Sequence, residues 1–159
     1  MEKQSLKKTK FAEYIRDFTA IGNPFLLLLV SLSALSVLPG FEAFMLRLIV
    51  GFLVNELVCS SIKYFWHKPR PNGQVFDNGF EKIDAGSFPS IHASRMAFVY
   101  LSLSFVHYTC GYYFMLPIFL ALILVVGYSR TFLKKHFWTD VFAGFGFGIL
   151  FFLLFFILI

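Results

Sequence analysis

The stretch SRTFLKKHFWTD, Ser129 to Asp140, lies between two strongly apolar segments and holds Arg130, Lys134, Lys135, His136 and Asp140. His136 and Asp140 stand four residues apart, so a helix starting there would put them on one face. Asp140 would then accept a proton from one ring nitrogen and leave the other free to attack an electrophile. Two more clusters carry matching chemistry. KYFWHKPRP, Lys63 to Pro71, supplies Lys63 and Arg70, with Pro69 and Pro71 restricting the backbone around the arginine. FPSIHASR, Phe88 to Arg95, supplies Ser90 as a helix cap and hydroxyl donor, and His92 as an acid and base. Fixed cations, two imidazoles, a hydroxyl and a carboxylate suit a phosphate ester. Its equatorial oxygens stay negative throughout displacement, so catalysis there is mostly positioning and electrostatic stabilisation. Lys63, Arg70 and Arg130 can hold those oxygens without a metal, the arginines by planar forks. Unpaired N–H groups at the start of the helix after Ser90 point the same way.

The elements that must gather these clusters are read from hydropathy. Of the 159 residues, 58% are hydrophobic and 14% charged, and 23 are Phe, against about 25% charged in soluble domains. The expected fold is all-α: one polytopic transmembrane bundle over residues 1–159, with spans at 18–38, 43–62, 91–110, 112–129 and 141–159. Residues 1–17, with Lys3, Lys7, Lys8 and Lys10, read as a basic amphipathic helix in the interface. Residues 64–90 read as a long polar loop at the active site. If the spans alternate, the three clusters share one face, and of the 14 Lys and Arg only Arg47 lies toward the other. Positive-inside counting puts that face in the cytoplasm.

Other residues have plainer readings. His67 and His107 read as interfacial, and Lys134 and Lys135 as a solvated flank. Arg95 reads equally as a lipid-phosphate contact or a structural ion pair, and Glu56 as a buried acid paired with Lys63. Asp77, Glu81 and Asp84 fit no metal template, and Cys59 and Cys110 read as small buried hydrophobes.

The pattern Lys63-x6-Arg70-Pro71, Pro89-Ser90-x-His92 and Ser129-Arg130-x5-His136-x3-Asp140 resembles the tripartite signature of the type 2 phosphatidic acid phosphatase family, related to vanadium haloperoxidases. The resemblance implies a membrane lipid phosphatase that needs no metal or other cofactor and works through a phosphohistidine. His136 is then the nucleophile, Asp140 its orienting partner and His92 the acid, with Lys63, Arg70, Ser90, the Ile91 backbone N–H and Arg130 on the phosphate. Ile91 stands where the family usually has Gly, and many members have six spans. The expected substrate is a lipid phosphate or diphosphate within the bilayer, a polyprenyl diphosphate first, with phosphatidic acid or phosphatidylglycerophosphate as the alternative. A non-catalytic lipid-phosphate-binding protein is the alternative of a different class. The expected partners are that substrate and an anionic membrane surface, with no nucleic acid. The expected location is the cell membrane, and bacterial relatives place the site at its outer face, against the positive-inside reading.

Overall fold

Apolar runs of membrane-crossing length, broken by Gly, Pro and polar clusters, dictate helices joined at those breaks. The computed structural model describes residues 42–73 and 77–158, with residues 23, 24, 27–29, 31 and 33 before them. Its helices are α1 (Glu42–Phe65), α2 (Gly79–Ala85), α3 (Ile91–Thr109), α4 (Met115–Phe132) and α5 (Trp138–Phe152), the last continuing as π turns over Leu153–Leu158. No strand occurs among the described residues. α1, α4 and α5 with its extension are long and apolar enough to cross a membrane. The expected interfacial helix at 1–17 lies outside the described residues, as does most of the expected span at 18–38.

The helix ends differ from the expectation where local chemistry decides. α1 runs on to Phe65 with Glu42 in its first turn and Lys63 in its last, each charge at the favourable end of the helix dipole. α4 starts late, after a turn at Gly111, whose φ of 86° suits glycine. It then runs through Ser129 and Arg130. α5 starts at Trp138, three residues before the expected boundary, which puts Asp140 in its first turn and leaves His136 outside the helix.

α3 is the central element although it is not the most apolar. Ala93, Met96, Phe98, Val99, Leu103 and Val106 are among its buried residues. It packs closely on α5 through small residues. A Cβ added to Gly144 would lie 2.4 Å from the Ser90 carbonyl oxygen, and one on Gly148 would lie 2.5 Å from that of Ser94. Within a membrane, where apolar side chains gain little by leaving lipid, such close backbone approach is a main source of helix association. Here it sets the starts of α3 and α5 side by side, and the Ser90 N–H donates to the Asp140 carbonyl at 2.9 Å. Farther along, Phe98, Phe105, Phe152 and Phe156 fill the space edge to face or stacked.

A polar layer joins α1 to α3. Ser94 Oγ donates to Asn55 Oδ1 at 2.5 Å, and Cys59 Sγ lies 3.8 Å from the same oxygen. Next to it, Arg95 forms a two-pronged ion pair with Glu56, with Nη2 to Oε2 at 2.5 Å. The Glu56–Lys63 pairing expected from their spacing is therefore replaced by a pairing across helices. Lys63 turns instead to the Gly86 carbonyl, at 2.7 Å. At the opposite end, exposed Tyr108, Tyr112, Tyr113 and Phe114 surround the α3–α4 turn, as aromatics do at a membrane–water interface. Cys110 is exposed in that turn, unlike buried Cys59, and both thiols are free.

Candidate active site

The site is built at the ends of α1 and α4, the starts of α3 and α5, and the segments between them. The first segment leaves α1 after Lys63 and carries Lys68 and Arg70. The second follows α2 as Gly86, Ser87, Phe88 and Pro89, with a cis peptide before Pro89. Ser90 then caps α3, its Oγ accepting from Ala93 N at 3.5 Å. The third is the turn after α4. Its shape is set by the Arg130 carbonyl, which accepts from both Lys135 N and His136 N at 3.1 and 3.2 Å, and by Lys134 at φ 53°.

Hydrogen bonds join the three segments into one frame. The Ser87 N–H donates to the Lys68 carbonyl at 2.8 Å. The Ser87 carbonyl lies 2.6 Å from His136 Nδ1, a contact that requires the proton on Nδ1 and leaves Nε2 with its lone pair. Lys68 Nζ reaches Asp140 Oδ1 at 2.5 Å, and Asp140 Oδ2 accepts from the Phe137 N–H at 2.9 Å. The expected bond from His136 to Asp140 is therefore corrected: the ring partner is a backbone carbonyl. The physical reason is the start of α5. His136 precedes the helix, so the one-face rule for residues four apart does not apply. Asp140, in the first turn, is drawn to the unpaired N–H at the helix start, where a carboxylate is favoured. Lys68 also lies over the Phe137 ring, 4.7 Å from its centroid.

Lys63, Arg70, Ser90, Arg130, His136 and Asp140 are all buried. Lys63, Arg70, Ile91, His92 and Arg95 line a cavity of about 420 Å³, with Ser60, Ile83 and Asp84 completing its wall. His92 lies within electrostatic reach of Arg130, Arg95, His136 and Lys63. The Ile91 side chain is part of that wall, so the branched residue shapes the cavity where glycine would leave space. Burial first, and then the Lys63 ammonium, push the His136 imidazole down to about 3, opposed by its bond to Ser87. The ring is thus neutral at physiological pH, as a nucleophile must be. Burial also lowers the Arg70 guanidinium, and Asp84 raises it in return; Arg70 and Asp84 pair at 3.6 Å.

The remaining histidines lie elsewhere in role. His67 is half-buried in the first segment. His107 bonds the Leu103 carbonyl at 2.8 Å and packs edge-on against Phe119, at the far end. Arg95 is engaged by Glu56, and Glu81 accepts from Asp77 N and Asn78 Nδ2 at the start of α2. Sequence reasoning missed Lys68, Ser87 and Asp84. Lys68 sits in KPRP beside the singled-out Arg70, but nothing local announces its partner seventy-two residues away. Ser87 acts through its carbonyl, which its side-chain identity does not signal; its Oγ is buried with no hydrogen-bond partner among the described residues.

Residues 44–159 match the family model of the PAP2 superfamily, and the chain belongs to that superfamily. Among solved structures it is similar to a transmembrane PAP2-type phosphatidylglycerophosphate phosphatase from Bacillus subtilis, at 25% identity and a TM-score of 0.72. That match covers 91% of this chain and 74% of the other. No curated protein gives a match.

Proposed function

We propose that this membrane protein is a lipid phosphatase that hydrolyses a lipid phosphate through a phosphohistidine on His136. The observation that carries the reading is the convergence of Lys63, Arg70 and His92 on one cavity at the end of the bundle, with buried His136 and Arg130 within electrostatic reach of its wall. Lys63, Arg70, Arg130, the Ser90 hydroxyl and the Ile91 N–H bind the equatorial oxygens. Nε2 of His136 attacks phosphorus while the bond to the lipid oxygen breaks, and His92 gives that oxygen its proton. His92 then takes a proton from water, which attacks the phosphohistidine and releases orthophosphate and neutral His136. Asp140 acts as the anchor of this geometry, holding Lys68 and the start of α5. With these cations on the phosphate, no step requires a metal.

A site at the helix ends suits a lipid. Exposed Tyr64, Phe65, Trp66, Tyr128 and Trp138 surround that end at the depth where headgroups lie, and the chain of the substrate remains in hydrocarbon. Similarity to a phosphatidylglycerophosphate phosphatase favours a glycerolipid phosphomonoester as substrate. A polyprenyl diphosphate is the second reading, because the cavity has room beyond one phosphoryl group. The test is phosphate release by purified protein, in chelator, from a panel of phosphatidylglycerophosphate, phosphatidic acid and polyprenyl diphosphate. Turnover of a monoester in chelator is expected. No turnover of any lipid, or turnover only with added magnesium, contradicts the proposal. The side of the membrane is readable from Cys110, exposed at the end opposite the site while Cys59 is buried. An impermeant maleimide that labels Cys110 in intact cells puts the site in the cytoplasm, and protection of Cys110 puts it outside.

A further inference from the structure

Arg70 and Asp84 both line the cavity and form an ion pair at 3.6 Å, yet their surroundings differ sharply. The Arg70 side chain is 7% exposed and that of Asp84 is 70% exposed. A buried guanidinium needs an anionic or hydrogen-bonding partner to offset its lost hydration. A carboxylate that stays in water keeps most of its hydration whether paired or not, so it loses little by leaving. Asp84 is the penultimate residue of the seven-residue helix α2, which Gly86 caps, and it also lies within electrostatic reach of Lys63. The other carboxylate near the cavity, Glu56, is held in the two-pronged pair with Arg95, and Asp140 is held by Lys68 and the Phe137 N–H. Of these three acids, Asp84 is the exposed one.

Carboxylate and phosphoryl oxygens compete for the same N–H groups of an arginine. We propose that Asp84 is an internal competitor for the phosphate site: it covers Arg70 in the empty enzyme, yields to the substrate phosphoryl group, and returns to help expel orthophosphate. The idea rests on the lipid-phosphatase reading and adds a selectivity to it. A second phosphoryl group at the Arg70 side of the cavity would meet the displaced Asp84 carboxylate, so Asp84 favours monophosphates over diphosphates. Its effect is weaker binding of product in return for faster release.

The experiment is a ³¹P line-broadening titration of orthophosphate, and separately of pyrophosphate, against the full chain in nanodiscs. Four proteins are compared: wild type, Asp84→Asn, Asp84→Glu and Arg70→Ala. Asp84→Asn should bind orthophosphate about 3- to 10-fold more tightly than wild type, with a larger gain for pyrophosphate. Asp84→Glu, which keeps the charge, should remain within about twofold of wild type, and Arg70→Ala should lose most binding. Wild-type binding that Arg70→Ala abolishes but Asp84→Asn leaves unchanged or weakens overturns the competitor and leaves the phosphate site standing. Failure of folded wild type and Asp84→Asn alike to bind either anion overturns the phosphate site itself.

Discussion

The two ends of the bundle are built from the same helices and treat polar groups in opposite ways. At the far end, α3 passes to α4 through a short turn at Gly111, ringed by exposed tyrosines, and His107 is satisfied by the carbonyl four residues before it. The hydrogen bonds of that turn are local. At the site end, Lys63, Arg70, Arg130, His136 and Asp140 are buried, and Lys63, Arg70, His136 and Asp140 find partners in other segments: Gly86, Asp84, Ser87 and Lys68. Burying so many charges is unfavourable unless each is paired or hydrogen-bonded. Among the described residues this occurs at one end only, an arrangement by which the proposed reaction holds cations in place for an anion. The proposed chemistry follows from that asymmetry.

The largest test of the contrast compares histidines. His136→Ala should lower turnover by more than about 10³-fold, as removal of a nucleophile does elsewhere, whereas His107→Ala should leave turnover within about twofold. Equal effects on lipid-phosphate hydrolysis would erase the distinction between the ends. The next effect concerns the frame. Lys68→Ala should reduce kcat by up to about 10²-fold through misplacement of the Asp140 and His136 segments, with KM little changed and most of the rate restored in Lys68→Arg. A rise in KM alone would make Lys68 a substrate contact.

The helix interface gives a test in stability. Gly144→Val should cost about 1–3 kcal/mol by overpacking against the Ser90 backbone and should lower activity with it. Gly146, two residues on and facing open space, should accept Ala with a small gain of about 0.5–1 kcal/mol. Thermal unfolding in detergent measures both. The smallest effect is on pH dependence. The folded His136 sits at about 3 and the unfolded one near about 6.5, so the unfolded state takes up the proton first. The stability tied to the neutral ring is complete above about pH 6.5 and is lost as pH falls toward 3. Wild type should therefore lose stability more steeply than His136→Gln below pH 6.5, by at most about 1.4 kcal/mol per pH unit. Parallel curves would contradict a buried, neutral imidazole.

The three motif clusters were legible in the sequence because their spacings are local and each lies at the edge of an apolar run. The helical architecture was legible for the same reason. What escaped was set by contacts between segments. Glu56 and Lys63 share a helical face, yet Glu56 finds Arg95 on the neighbouring helix and Lys63 finds a carbonyl beyond α2. The His136–Asp140 bond failed on a boundary of two residues, since a helix beginning at Trp138 sends Asp140 to its own N-terminus and His136 to Ser87. Apolarity alone also does not reveal which element lies at the centre. α3, with its serines, His92 and Arg95, is the one the others surround, because small and polar side chains permit close packing where large apolar ones face lipid.

The most direct test is to trap the covalent intermediate by rapid acid-free quenching of the protein during turnover of a ³²P-labelled lipid phosphate. The account predicts label that is stable in base and lost in acid, mapped to His136 and missing in His136→Ala. Acid-stable label on a serine such as Ser87 or Ser90, or full turnover with no label on the protein, would contradict it.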